Sequence, residues 1–113
     1  MNAYEIPNLR FSLPATTALL RRRFLTVDVN AGAVYATADS VTVGVSATEA
    51  AAGEAVDVAD GIVMVEAADA ITAGAKISVG ADGKAITAAA GIVVGTALTS
   101  AGAASELVTV KVN

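Results

Sequence analysis

The chain of 113 residues has no cysteine, no histidine and no tryptophan. Without cysteine there are neither disulfides nor thiolate metal sites, and a cystine-stapled secreted scaffold is excluded. Without histidine the commonest general base is missing, and with both types absent the usual zinc and iron ligand sets are gone. The serines (Ser12, Ser40, Ser46, Ser78, Ser100 and Ser105) include none in a G-x-S-x-G setting, and no histidine exists to activate one. The expectation is a protein that is not an enzyme and carries no cofactor and no metal. Aromatic residues make up only 4% of the chain, so a core must rest on Val, Ile and Leu. A membrane-length apolar run is also missing. Ala85 to Ser105 is uncharged, but only Ile86, Ile92, Val93, Val94 and Leu98 in it are strongly apolar, which argues against a spanning helix. The start of the chain, with Pro7 and Pro14 and no apolar core after its charges, does not read as a secretory signal.

What is present suits one domain. The hydrophobic fraction of 55% overstates the core, because about a quarter of the chain is alanine. The alanines cluster with Gly and Thr between β-branched runs, where they read as loop and close-packing positions. The net charge of −4 is unevenly placed. Arg10, Arg21, Arg22 and Arg23 face only Glu5 in residues 1–27, whereas the remainder sets three lysines against ten acids. So acidic a body is not expected to bind nucleic acid, which requires a basic face.

From Phe24 onward the pattern is one short strand after another. Leu25, Val27 and Val29 alternate with Thr26 and Asp28, and Val41, Val43 and Val45 with Thr42 and Gly44. Val34 to Thr37, Val56 to Val58, Ile62 to Val65, Ile77 to Val79, Ile92 to Leu98 and Val108 to Val112 follow. Period-2 alternation in short Val/Ile/Thr segments between turn signals predicts a mainly β fold, a small antiparallel β-barrel or sandwich-like domain. Asp82-Gly83 is the clearest hairpin turn, with Asn30-Ala31-Gly32 and Asp60-Gly61 as weaker ones. Thr48 to Ala52 is either a helix of one to two turns or a loop. Three small-residue turns precede alternating strands: Ala51-Ala52-Gly53, Thr72-Ala73-Gly74 and Ser100-Ala101-Gly102. Their unequal spacing reads as recurring turn chemistry rather than a solenoid repeat. Residues 1–23 read as an extended N-terminal arm ahead of a β-rich domain over 24–113. Pro7 and Pro14 break regular structure there, and Tyr4, Ile6, Leu9, Phe11 and Leu13 follow no period. An arm of this kind is expected to become ordered on a partner.

Two clusters merit a functional question. Glu54, Asp57 and Asp60 fall three residues apart, but they lack a calcium-loop pattern and read as solubilising surface carboxylates. Arg21-Arg22-Arg23, on an otherwise acidic chain, reads as a clamp for an acidic partner surface, against the plainer reading of a solvated charge run.

The order of several blocks resembles the phage capsid cement, or head decoration, family over roughly residues 22–113. The blocks are Val43-Gly44-Val45, Ala51-Ala52-Gly53-Glu54 with Val56-Asp57-Val58, and Gly61-Ile62-Val63. Next come Ala70 to Lys76, Gly80 to Lys84, Gly95 to Leu98, Ala101-Gly102 and the closing Val108 to Val112. The resemblance implies a structural virion protein, made in the host cytoplasm, that sits on the outer surface of an expanded capsid and stabilises contacts between capsomers. It implies the major capsid protein as partner, a homotrimer, and neither nucleic acid nor membrane. In the arm, Ile6, Leu9 and Phe11 would supply apolar capsid contacts and Arg21, Arg22 and Arg23 would pair with capsid carboxylates. The alternative from another class is a β-rich adhesion or receptor-binding module displayed on a virion or cell surface.

Overall fold

The computed structural model describes residues 6–89 and 91–113, and of residues 6–8 the backbone alone. Nine strands occur among them: β1 (Ile6–Pro14), β2 (Phe24–Val27), β3 (Ala33–Tyr35), β4 (Gly44–Ser46), β5 (Ala55–Glu66), β6 (Lys76–Val79), β7 (Ala85–Thr87), β8 (Gly95–Ala97) and β9 (Leu107–Val112). They pair antiparallel in the order β3-β2-β4-β5-β9-β8-β6-β7, with β1 added on β5, and the sheet curls into a half-barrel. The mainly β expectation is thus met. Asp82 and Gly83 take positive φ of 54° and 73° and join β6 to β7, as the turn chemistry predicted. Thr48 to Ala52 forms a loop, with Ala50 bridged to Leu19.

Two expectations are corrected. Asp60-Gly61 is not a turn but lies within the twelve-residue β5. Gly61 adopts a φ of 108°, and the Asp60 carboxylate accepts its N–H at 2.9 Å, so the signal marks a local irregularity inside one long strand. The arm of residues 1–23 is, over its described part, integral to the sheet. β1 runs from Ile6 opposite Ile62 to Pro14 opposite Ala55, with Phe11 and Leu13 packed on the core. Leu19 is buried and Ala15 bridges Ala33. Met1 to Glu5, with Tyr4, lie outside the described residues. The prolines are tolerated because β1 has β5 on one edge only. Ala15 donates to Glu54 O at 2.8 Å, so by strand alternation Pro14 turns its missing N–H away from β5.

The fold also contains a repeat that is more than recurring turn chemistry. Leu25↔Tyr35 in β2–β3 recurs as Ile77↔Thr87 in β6–β7, each residue advanced by 52. Phe11↔Val58 in β1–β5 recurs as Val63↔Val110 in β5–β9 with the same advance. The bridges Ala15↔Ala33 and Leu19↔Ala50 recur as Ala67↔Ala85 and Ile71↔Ala101. The chain is therefore two lobes of one plan. The first is β1, β2, β3, β4 and the start of β5; the second is the end of β5, then β6, β7, β8 and β9. The strand β5 serves both.

The core follows that division. Val56 and Val58 point into a smaller cluster with Ala15, Leu19, Leu25, Ala33 and Ala50. Ala59, Val63 and Val65 point the other way, into a larger cluster with Phe24, Val45, Ile77, Val79, Val108 and Val110. The buried face of β5 thus switches at Val58–Ala59, which places one lobe on each side of it.

Candidate functional site

The residues expected to dock on a partner lie on two elements. Ile6 pairs with Ile62 through the backbone, and its side chain lies outside the described residues. Leu9 follows a register shift in β1 and remains 55% exposed. Phe11, two residues on, turns to the smaller core and is half-buried there. It therefore stabilises the first lobe, and little of it remains for a partner.

The arginine run divides in the same way. Ser46, buried on β4, receives the backbone N–H of Arg23 at 3.1 Å and donates its hydroxyl to Leu20 O at 2.7 Å. This ties residues 20–23 to the body. Arg21 is exposed. Arg22 is partly exposed at a φ of 63° and donates its N–H to Ser46 O at 2.7 Å. Arg23 does not face outward, contrary to the expected clamp: it is 6% exposed. Its guanidinium reaches Asp82 O at 3.1 Å and the Glu66 carboxylate at 3.4 Å, and lies 6.0 Å from the Tyr35 ring centre. Its Nε has no partner. Lys84 approaches the same Glu66 oxygen at 3.5 Å. Arg23 joins the first lobe to the turn of the second, a role the charge run did not reveal.

The carboxylates considered for metal binding are dispersed. Glu54 accepts the Ala51 N–H at 2.8 Å, Asp57 accepts the Ser12 hydroxyl at 2.9 Å, and Asp60 is bound to Gly61 N–H. Among the described residues no group of three or more Asp, Glu, His or Cys is placed to hold a metal ion. No helix among them is long and apolar enough to cross a membrane. Asp28 is the carboxylate with a clear electrostatic signature. The Thr16 hydroxyl, bonded at 2.6 Å, and the Gly32 N–H hold its pKa below the ordinary value, against opposing desolvation, with the Asn30 N–H adding least. This closes a loop on itself.

Two surfaces went unnoticed in the sequence. A groove of about 350 Å³ is floored by Ala18, Leu19, Leu20, Ala50 and Ala51 and walled by Glu49 and Glu54. The loops after β3 and β7, counterparts in the two lobes, meet where Ile92 donates its N–H to Ala38 O at 3.1 Å. There Val41, Ile92 and Val93 leave apolar area uncovered. No sequence signal linked residues so far apart, although Val41 and Ile92 hold equivalent places in the repeat.

The body is small and all-β, its polar side chains mostly serve its own loops, and its uncovered apolar residues lie on loops, on β1 and at the ends of β2 and β9, an arrangement suited to attachment rather than to chemistry. A family model described as phage cement protein matches residues 15–112, and the chain belongs to that family. The match begins at Ala15, the first buried core residue among those described. In structure the chain is similar to the head fiber gp8.5 N base of bacteriophage phi29, with a TM-score of 0.78 and 20% identity over 93% of each chain. At that identity the likeness establishes the fold. No curated protein matches the chain.

Proposed function

We propose that this cement protein binds the outer surface of an expanded phage capsid, as a symmetric homotrimer, and holds neighbouring capsomers together. The observation that carries the reading is the family match over both lobes, 15–112. Several weak contacts per trimer would add through multivalency, so no single site need be tight. In this reading Leu9 and Arg21, the exposed members of the expected set, touch the shell, and Ile6 stays with them as a proposed contact. An exposed ion pair at Arg21 contributes under about 1 kcal/mol and weakens in salt. Burying Leu9 contributes on the order of 1.5–3 kcal/mol before ordering costs.

The test is co-sedimentation with empty capsids before and after expansion, with the oligomer counted by light scattering and in decorated particles. Binding confined to expanded shells, with three copies per site, is the expected result. Equal binding to neither form removes the cement role, and a monomer on the particle removes the trimer. An adhesion role gains no support from the described aromatic residues. Phe24 is fully buried, and Phe11 and Tyr35 pack on the core.

A further inference from the structure

The repeat shows where an additional strand fits. In β5, Ile62 pairs on one edge with Lys111 of β9 and on the other with Ile6 of β1. The residue of β1 equivalent to Ile62 is Arg10, since Arg10↔Ala59 recurs as Ile62↔Lys111. Arg10 has its inner partner, Ala59, but no strand among the described residues lies on its outer side. The register from Leu9↔Asp60 to Pro14↔Ala55 is unbroken, and Ala15 bonds inward to Glu54. The N–H and C=O groups of Arg10 and Ser12 therefore point outward. At Thr16 the same edge is closed by β3, where the Thr16 N–H donates to Ala33 O at 3.0 Å. What remains open is a short ladder whose counterpart in the second lobe is occupied by β1 at Gly61 and Ile62.

We propose that the outer edge of β1 at Leu9 to Ser12 is a strand-addition site for an extended segment of the capsid shell protein. The proposal rests on the cement reading above. The added strand runs antiparallel, as β1 does on β5, with a carboxylate opposite the exposed Arg10 and an apolar side chain beside Leu9. A second copy of this chain is a poor occupant. The end strands β3 and β7 are three residues long, and each is already bridged on its outer side, at Ala33 and Ala85. Pairing β1 with β1 of another copy builds a two-fold contact, which the symmetric trimer of the cement reading does not contain. A foreign strand with an acidic residue opposite Arg10 meets neither obstacle.

Arg10→Pro and Ser12→Pro test the site. Each removes an outward N–H and leaves the backbone bonds to β5 intact, and Pro14 already occupies the same alternation; Ser12→Pro also loses the exposed hydroxyl bond to Asp57, for which Ser12→Ala is the control. The expected result is a melting temperature unchanged for Arg10→Pro and equal to that of Ser12→Ala for Ser12→Pro, an unchanged oligomeric state, and about tenfold or weaker capsid binding for each proline variant. Arg10→Ala, which keeps the N–H, loses less, and loses it at low salt. A readout independent of variant folding is hydrogen exchange of the unsubstituted protein. The Arg10 and Ser12 amides are expected to slow on capsids and to exchange freely in the isolated protein at any concentration. A folded proline variant that binds like the parent overturns the proposal, as do unchanged amides on the capsid. Protection that rises with concentration alone assigns the edge to a second copy and overturns it too. Failure of the parent to sediment with capsids removes the cement reading itself, and is distinguishable from a parent that binds with its Arg10 and Ser12 amides unprotected.

Discussion

The two lobes share a strand plan, yet their equivalent positions have been put to different uses. Where the second lobe has Thr72-Ala73-Gly74-Ala75, the first has Leu20-Arg21-Arg22-Arg23. Gly74 occupies the left-handed conformation at a φ of 90°, at no steric cost; Arg22 holds its place at 63°. Lys76 opens β6 exposed, while its counterpart Phe24 opens β2 fully buried in the larger cluster. Gly83 lies buried in a turn against the first lobe, while Ala31, its equivalent, is exposed. The difference teaches a division of labour. At these matched positions the second lobe has small or exposed residues, Ala73, Gly74, Lys76 and Gly83. The first supplies the large side chains that join the lobes, and it keeps an unpaired edge.

Substitutions at matched positions should expose that asymmetry. The largest effect is expected at Phe24. Phe24→Ala should destabilise by about 3–5 kcal/mol through lost burial and a cavity, whereas Lys76→Ala at the equivalent place should stay within about 0.5 kcal/mol. Denaturant midpoints of the two variants compare them directly, and equal losses would break the asymmetry. Gly83→Ala comes next. An added Cβ would meet Phe24 O at 2.6 Å and Arg23 Cβ at 3.2 Å, at a φ of 73°. A loss of about 2–3 kcal/mol is expected from combined strain and clash, whereas Ala31→Gly, which relieves a left-handed alanine at a φ of 64°, should leave stability unchanged or raise it by up to about 1 kcal/mol, both read from thermal melts.

Arg23→Ala should cost about 1–3 kcal/mol, because Glu66 keeps Lys84 as a partner and stays partly solvated. The double-mutant cycle with Glu66→Gln isolates the pair. A coupling indistinguishable from zero would assign the loss to packing of the Arg23 stem. The smallest effect is a pH dependence. The folded-state pKa of Asp28 is depressed, so the stability it contributes is present above its unfolded value. It disappears as pH falls through the lower folded value, that is, from about pH 4 downward. Asp28→Asn should remove that part of the acid limb in melts between pH 2 and 7. Its equivalent in the second lobe, Gly80, has nothing to titrate.

The strands at 24–27, 33–35, 76–79, 85–87 and 107–112 were legible because Val, Ile and Thr alternate between turn signals there, even though burial is less regular, with Ile77, Ser78 and Val79 all buried. β1 was not legible. Its inward side chains are Phe11 and Leu13, and its prolines signal a break unless one knows that its outer edge is empty. β5 read as two strands because its buried face switches at Val58–Ala59, so the alternation loses phase where Asp60-Gly61 also suggests a turn. The repeat was half visible: Val56-Asp57-Val58 and Val108-Thr109-Val110 are true counterparts. Thr72-Ala73-Gly74 stands instead for Leu20-Arg21-Arg22. A one-residue difference between the loops after β3 and β7 hid the period. Of the residues expected to dock, Leu9 and Arg21 are exposed. Arg23 is not, and a run of like charges carries no sign of which member turns inward.

The shared strand also governs how the molecule comes into being. A nascent chain that has made β1 through β4 holds four strands with no centre. β1 has no strand partner until residues 55–62 appear, and β4, already paired with β2, has its other edge open until Val58 and Ala59. Once β5 emerges, its first half completes one lobe while its second half is already the first strand of the other. Neither lobe has a boundary at which a protease or a truncation could separate it intact. The repeating unit of the sequence is therefore smaller than the unit that folds, and loss of β5 at either end is felt across the whole body as one transition.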